Sequence, residues 1–140
     1  MQGRILAIDP GGRRVGLALS DPMRIIASPF ETLLIKDNAD AIRQICLVIE
    51  EQQVTELVVG MPLRPGAQKS EQAKRVEVFI EVLKAAVKLP VYTIDESYSS
   101  VEAEESLHQM GKKVGQDKGA VDRIAAAIIL KQFLQETQGY

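Results

Sequence analysis

Near the start of the chain, two short runs of apolar residues are separated by a polar turn. The first run, Ile5 to Ile8, is apolar at consecutive positions, which is typical of a strand covered on both faces. Pro10-Gly11-Gly12 is turn sequence, and a second apolar run begins at Val15. The pattern predicts a β-hairpin that presents Asp9 where its first strand ends.

The rest of the chain alternates between strand and helix patterns. A third strand is predicted from Ala27 to Ile35, with Pro29 near its start. The further predicted elements are a helix capped by Asp37-Asn38 and ending near Gln52, a strand at 56–60, a helix opened by Ser70, a strand at 91–96, a helix from Ser99 to Met110, and a helix from Ala120 to about Gln135. This order predicts an α/β fold, in which three antiparallel strands and then two parallel ones form a mixed sheet flanked by helices.

Composition narrows the class of protein. With 140 residues, 46% hydrophobic and 26% charged, the whole chain is expected to form a single globular domain over residues 1–140. The single cysteine, Cys46, excludes an intramolecular disulfide and a thiolate zinc cluster, and it is expected to fill the core. No leader pattern or run of about 20 apolar residues is present, so we expect a cytoplasmic protein with no membrane partner. The net charge of −2 argues against a surface that is basic throughout but leaves room for a local basic patch.

Acidic residues stand at the predicted ends of three elements. Asp9 ends the first strand, and Asp95 and Glu96 end the last. Because the carboxyl ends of parallel strands meet at one edge of a sheet, these acids are expected to share the crevice where open α/β sheets bind ligands. Strand alternation lets only one of Asp95 and Glu96 face Asp9, and we favour Glu96, partly on the family resemblance given below. Asp122 lies in the first turn of the last helix, where the small residues Ala125 and Ala126 predict close packing on the sheet.

Each acid has a simpler explanation when it is taken alone. Asp9 is also typical of a turn residue that caps its own backbone, and Asp122 of an acid favoured by the helix dipole. His108, the one histidine, is expected at the surface. Three clustered carboxylates would repel one another without a cation, so the set predicts bound Mg²⁺ or Mn²⁺. Two such ions support hydrolysis of a phosphodiester bond without a protein nucleophile.

Four motifs follow one another along nearly the whole chain. They are Asp9-x-Gly11-x-x-Arg14-x-Gly16-x-Ala18, Val59-Gly60-x-Pro62-Leu63, Asp95-Glu96, and Lys118-Gly119-x-x-Asp122-x-x-Ala125-Ala126-x-x-Ile129-Leu130. Together they resemble the YqgF/RuvX family, whose members are described as nucleases of pre-16S ribosomal RNA. The resemblance implies an RNase H-like fold related to Holliday-junction resolvases. It also implies that Asp9, Glu96 and Asp122 are the catalytic, metal-binding acids of a hydrolase that acts on ester bonds in ribosome biogenesis.

The chain departs from the family pattern near its expected substrate contacts. Where the family usually has an arginine after Asp-Glu, this chain has Ser97, and its loop after Pro62 has Pro65-Gly66 instead of Asp-Gly. We therefore predict that substrate is bound by a rim of other basic residues. These are Arg13, Arg14, Arg64, Lys69, Lys112, Lys113 and Lys118. Three of the lysines belong to a glycine-bounded segment, 111–119, that is predicted to be a mobile loop.

Several functions are compatible with this pattern. The expected partner is nucleic acid, either precursor ribosomal RNA, with association to ribosome assembly, or a branched DNA such as a Holliday junction in recombination and repair. A non-catalytic nucleic-acid-binding relative of the fold is a second class. An ATPase of the actin or sugar-kinase type is a third, but it needs two such domains around a cleft, and 140 residues supply one. The oligomeric state stays open.

Overall fold

The computed structural model describes residues 3–62, 71–95 and 119–138. These residues form a five-stranded sheet with strand order β3-β2-β1-β4-β5. The elements are β1 (Arg4–Pro10), β2 (Arg14–Ser20), β3 (Ala27–Leu34), α1 (Asn38–Gln52), β4 (Val54–Met61), α2 (Glu71–Ala86), β5 (Val91–Asp95) and α3 (Ala120–Gln138). Ser70 and the helix predicted from Ser99 to Met110 lie outside the described residues.

The sheet is mixed, as the sequence predicts. Strand β1 pairs antiparallel with β2 and parallel with β4, while β2 pairs antiparallel with β3 and β4 parallel with β5. The central position of β1 explains its apolar run, since Ile5 and Ile8 and the two residues between them are fully buried. Pro29 lies on the edge strand β3, opposite Ala18 and beside an irregularity in the register, which is where a sheet tolerates proline. The fold-class prediction is confirmed.

The two faces of the sheet carry separate hydrophobic clusters. On one face, Leu6 and Ile8 pack with residues of α1 and α2, including Ile45 and Phe79. On the other face, Ile5, Ala7 and Ile94 pack with residues of α3, including Ala126, Ile129 and Leu130. Because side chains alternate along a strand, Asp9 has the same orientation as Ala7 and lies on the α3 face. The acid of the hairpin and the acid of the last helix are therefore on the same side of the sheet.

The predicted start of α1 is confirmed, whereas α3 is longer than predicted. Helix α1 begins after Asp37, whose side chain accepts the backbone N–H of Asp40, so the predicted cap is confirmed. Helix α3 continues to Gln138 instead of ending near Gln135, and in its last turn the hydroxyl of Thr137 donates to the carbonyl oxygen of Phe133 at 2.7 Å. No helix within the described residues is long and apolar enough to cross a membrane.

The end of the sheet away from Asp9 is closed by a buried arginine. Arg24 has a left-handed backbone (φ 59°) and lies between the ends of β2 and β3. Its Nε donates to the carbonyl oxygen of Gly3 at 3.0 Å, and its Nη1 lies 3.1 Å from the carboxylate of Glu56. This cation therefore serves the fold, whereas Arg13 and Arg14 lie at the other end of the sheet, beside the turn between β1 and β2.

Candidate active site

A row of residues crosses three strands beneath the start of α3. Asp9 of β1 pairs with Gly16 of β2, and Gly16 pairs with Thr32 of β3. Residues that face each other across neighbouring strands point to the same side of the sheet, with Cβ atoms about 4.5–5.5 Å apart. All three positions therefore belong to the α3 face, and Asp9 is partly buried there.

The backbone of α3 comes very close to the sheet at Gly16. A Cβ added to this glycine would lie 2.0 Å from the carbonyl oxygen of Asp122 and 2.9 Å from its Cβ. No side chain fits in that gap, so the helix backbone rests directly on β2. Asp9 and Asp122 consequently flank the same glycine, and two of the three predicted acids are brought to one place.

Hydrogen bonds from the edge strand hold the start of α3. The hydroxyl of Thr32 donates to the carbonyl oxygen of Gly119 at 2.7 Å and accepts from Nη1 of Arg123 at 3.2 Å. The same carbonyl accepts the backbone N–H of Arg123 at 3.1 Å. Sequence reasoning missed both side chains. Thr32 has an ordinary strand pattern and Arg123 an ordinary helix-surface pattern, so only their spatial neighbours show the role.

The carboxylate of Asp122 is partly buried and lies close to two positively charged side chains. Its side chain is 23% exposed, but the Oδ2 atom is buried and has no hydrogen-bond partner. Nε of Arg14 lies 3.1 Å from Oδ2, so the two groups form an ion pair that lacks hydrogen-bond geometry. Burial raises the pKa of Asp122, while the positive charges of Arg14 and Arg123 act in the opposite direction. A buried carboxylate oxygen without a hydrogen bond is suited to bind a cation.

Of the three acids predicted to bind metal, only Asp9 and Asp122 are among the described residues. Within residues 3–62, 71–95 and 119–138, no group of three His, Cys, Asp or Glu side chains could hold a metal ion. The third predicted acid, Glu96, lies outside these residues. Asp95 cannot take its place on the α3 face, because Ile94 packs on that face and Asp95, the next residue along β5, points to the other side. An all-carboxylate set fits Mg²⁺ or Mn²⁺, which prefer oxygen ligands.

Basic residues lie on both sides of the hairpin turn. Arg13 and Arg14 line a cavity of about 460 Å³ that also includes Gly11, Gly12 and Asp122. A second cavity of about 520 Å³ shares the two glycines and is lined by the polar residues Asn38, Gln72, Lys74 and Arg75. Lys74 and Arg75 are not among the substrate contacts predicted from the sequence. The other predicted substrate contacts, Arg64, Lys69, Lys112, Lys113 and Lys118, lie outside the described residues, as does all of the basic loop except Gly119, which is buried.

Solved structures of similar fold are Holliday junction resolvases. The structure titled "T. thermophilus RuvC in complex with Holliday junction substrate" matches with a TM-score of 0.64 at 15% sequence identity, covering 98% of this chain and 96% of that one. A fowlpox virus resolvase, solved with Holliday junction DNA, matches with a TM-score of 0.58 at 9% identity, covering 95% and 97% of the two chains. At these identities the likeness establishes the RNase H-like fold alone.

Two sequence relatives are more similar to this chain and share a name. A protein of Roseiflexus sp. (strain RS-1), named "Putative pre-16S rRNA nuclease", is 39% identical over 132 residues, which is 94% of each chain. A protein of Lachnospira eligens with the same name is 39% identical over 138 residues, covering 96% of this chain and 99% of its own. A family model described as "RuvX: Holliday junction resolvase" matches residues 3–136. The resemblance seen in the four motifs is thus confirmed, and the chain belongs to the RuvX family of resolvase-type and nuclease-type proteins.

Proposed function

We propose that this chain is a metal-dependent endonuclease that hydrolyses phosphodiester bonds in structured nucleic acid. Asp9, Glu96 and Asp122 are the proposed ligands of Mg²⁺ or Mn²⁺. The observation that carries the proposal is the buried Oδ2 of Asp122, which has no hydrogen bond and lies across Gly16 from Asp9. A binding module without catalysis gains nothing from carboxylates that face phosphate groups, because like charges repel.

The residues around the acids are suited to bind and orient a phosphodiester. When bound, a pair of divalent ions would supply an activated water and stabilise the leaving oxygen. The guanidinium groups of Arg13 and Arg14, in the turn beside Asp122, can neutralise the phosphate charge. Lys74 and Arg75 lie on the other side of the turn and can bind neighbouring phosphates of the same strand. A Cβ added to Gly12 would have no atom within 4 Å, so backbone and nucleic acid can approach closely there.

Two substrates are supported by different comparisons. The names of the sequence relatives favour pre-16S ribosomal RNA as the substrate. We propose cleavage at its 5′ end, which would place the protein in ribosome biogenesis in the cytoplasm. The family description and the resolvase fold favour a branched DNA in recombination or repair. We give precedence to ribosomal RNA, because the relatives share 39% identity with this chain whereas the resolvase structures share 15% or less.

A parallel cleavage assay tests both substrates and the need for metal. Labelled pre-16S RNA fragments and four-way DNA junctions are incubated with Mg²⁺, with Mn²⁺ and with chelator. Cleavage of the RNA near the mature 5′ end, present with metal and absent with chelator, is expected. Cleavage of the junction alone would favour the resolvase function. Tight binding of either substrate without cleavage in any metal would favour the non-catalytic alternative.

A further inference from the structure

The guanidinium of Arg14 lies against the carboxylate oxygen of Asp122 that we propose as a metal ligand. Its Nε lies 3.1 Å from the buried Oδ2, and the side chain is 43% exposed. The contact places a positive charge beside the carboxylate without forming a directional hydrogen bond. Because the arginine side of this pair is solvent-accessible and makes no directional hydrogen bond, a stronger cation can replace it on Asp122.

A divalent ion bound to the same oxygen cannot share it with the guanidinium. Two cations on one oxygen would lie close enough to repel strongly. Asp122 is not free to move away, because its backbone rests on Gly16 and the start of α3 is bonded to Thr32. Arg14 has room to move, since it lines the 460 Å³ cavity, where Gly11 and Gly12 have no side chains. The arginine is therefore the group that leaves.

We propose that Arg14 is an exchangeable counter-cation of the active site. In the metal-free protein it neutralises Asp122. When a divalent ion binds Asp122, the guanidinium turns into the adjoining cavity and binds a phosphate of the nucleic acid. The inference rests on the proposed function, and it supplies a phosphate contact in a chain that has Ser97 in place of the family's usual arginine.

The exchange makes the binding of metal and the binding of nucleic acid depend on each other. Metal frees Arg14 for phosphate, and phosphate gives Arg14 a partner that keeps it away from the metal. Such coupling is reciprocal, so each ligand strengthens the other by the same factor. A residue that only binds phosphate, or only stabilises the fold, does not produce this pattern.

The first test measures Mn²⁺ affinity of the free protein by electron paramagnetic resonance of unbound Mn²⁺. Arg14→Gln removes the competing cation and should bind Mn²⁺ about tenfold more tightly than the parent, within the usual range for coupled ligands. Arg13→Gln is the matched control. It removes the same charge from the neighbouring residue, which lines the same cavity, and should change the affinity by less than about twofold at physiological salt. Arg14→Met serves as a second variant if the Gln variant does not fold.

The second test compares the binding of a labelled four-way DNA junction and a labelled pre-16S RNA fragment in chelator and in Ca²⁺, under conditions without cleavage. Arg14→Gln should weaken binding about tenfold in Ca²⁺ but by about twofold or less in chelator, where the parent's arginine is engaged with Asp122. Arg13→Gln should weaken binding by the same factor in both conditions.

The outcomes separate this inference from the proposed function. If Asp122→Asn abolishes Mn²⁺ binding but Arg14→Gln leaves the affinity unchanged or lowers it, the exchange is wrong and the metal-dependent nuclease stands. If the parent binds no Mn²⁺ through Asp122, both are overturned. An equal loss of nucleic-acid binding in chelator and in Ca²⁺ for Arg14→Gln also overturns the exchange.

Discussion

Gly16 lies directly beneath the backbone of Asp122, and an added Cβ would meet the carbonyl oxygen of that residue at 2.0 Å. The same glycine is the cross-strand partner of Asp9. One residue without a side chain thus sets the distance between the strand that carries the first acid and the helix that carries the last.

Gly16→Ala should push the start of α3 away from the sheet. The atom in the way is backbone, which cannot rotate aside, so we expect a loss of about 1–3 kcal/mol in the free energy of unfolding, as for other overpacked sites. The control is Gly12→Ala, since a Cβ there meets no atom within 4 Å and Gly12 is not among the described glycines with positive φ. This control should be stabilised by up to about 1 kcal/mol. Urea unfolding measures both variants, and equal effects would contradict the close contact.

Replacement of the acids should abolish cleavage and the response to metal. Asp9→Asn, Asp122→Asn and Glu96→Gln are each expected to lower the cleavage rate about 100-fold or more, because the metal supplies several kcal/mol of transition-state stabilisation. Mn²⁺ should raise the melting temperature of the parent, since a ligand that binds only the folded state stabilises it, and should raise that of the variants much less.

Asp95→Asn is the control for the acid replacements. Asp95 is next to Glu96 in sequence but points to the face of the sheet opposite Asp9, so this variant should retain both cleavage and the metal response. Full cleavage by Asp9→Asn or Asp122→Asn would refute the mechanism, and loss of cleavage in Asp95→Asn would show that the wrong strand-end acid was chosen.

The pKa of Asp122 predicts how stability depends on pH in chelator. Burial raises this pKa above the ordinary aspartate value of 3.8, so the folded protein binds the proton more tightly than the unfolded chain. The contribution of this group to stability therefore falls as pH rises from 3.8 through the raised pKa, and it is constant above that. Asp122→Asn removes the dependence, so its stability relative to the parent should increase across this window.

Urea unfolding at a series of pH values checks this prediction as a difference between the two proteins. The carboxyls of Asp21 and Asp40 have lowered pKa values, chiefly because backbone N–H groups of Ile26 and Lys36 bond to them. Their contribution has the opposite sign, but it is common to variant and parent and cancels. If the Asn variant loses stability relative to the parent as pH rises, the ion pair with Arg14 outweighs the cost of burial.

Lys74 and Arg75 of α2 should add to the salt dependence of nucleic-acid binding. Each phosphate contact that is lost should reduce the slope of log K against log salt by about 0.7–0.9. The double variant Lys74→Gln/Arg75→Gln is therefore expected to bind more weakly at low salt and to have a shallower slope. Lys84→Gln/Lys88→Gln removes the same charge from exposed positions in the last turn of the helix and just after it, and should leave the slope unchanged. Equal slopes for the two double variants would exclude the cavity beside α2 from the binding surface.

The sequence by itself determined that the sheet is mixed and that Asp9 and Asp122 belong to its first strand and its last helix. Consecutive apolar residues at Ile5 to Ile8 indicate a strand buried on both faces, and the crossover connections that follow require β4 and β5 to run parallel to it. Alternation along β1 then puts Asp9 on a definite side of the sheet. These results follow from local periodicity and from general rules of sheet topology, both of which can be read along the chain.

Only the tertiary structure decided how the site is assembled. Sequence reasoning expected Ala125 and Ala126 to allow the close approach of the last helix; both are buried, and the helix backbone also rests directly on Gly16. The bond from Thr32 to Gly119 joins residues 87 positions apart, and the ion pair of Arg14 with Asp122 depends on where the helix begins over the sheet. The packing angle and height of α3 set these contacts, and no periodicity in the chain encodes either quantity.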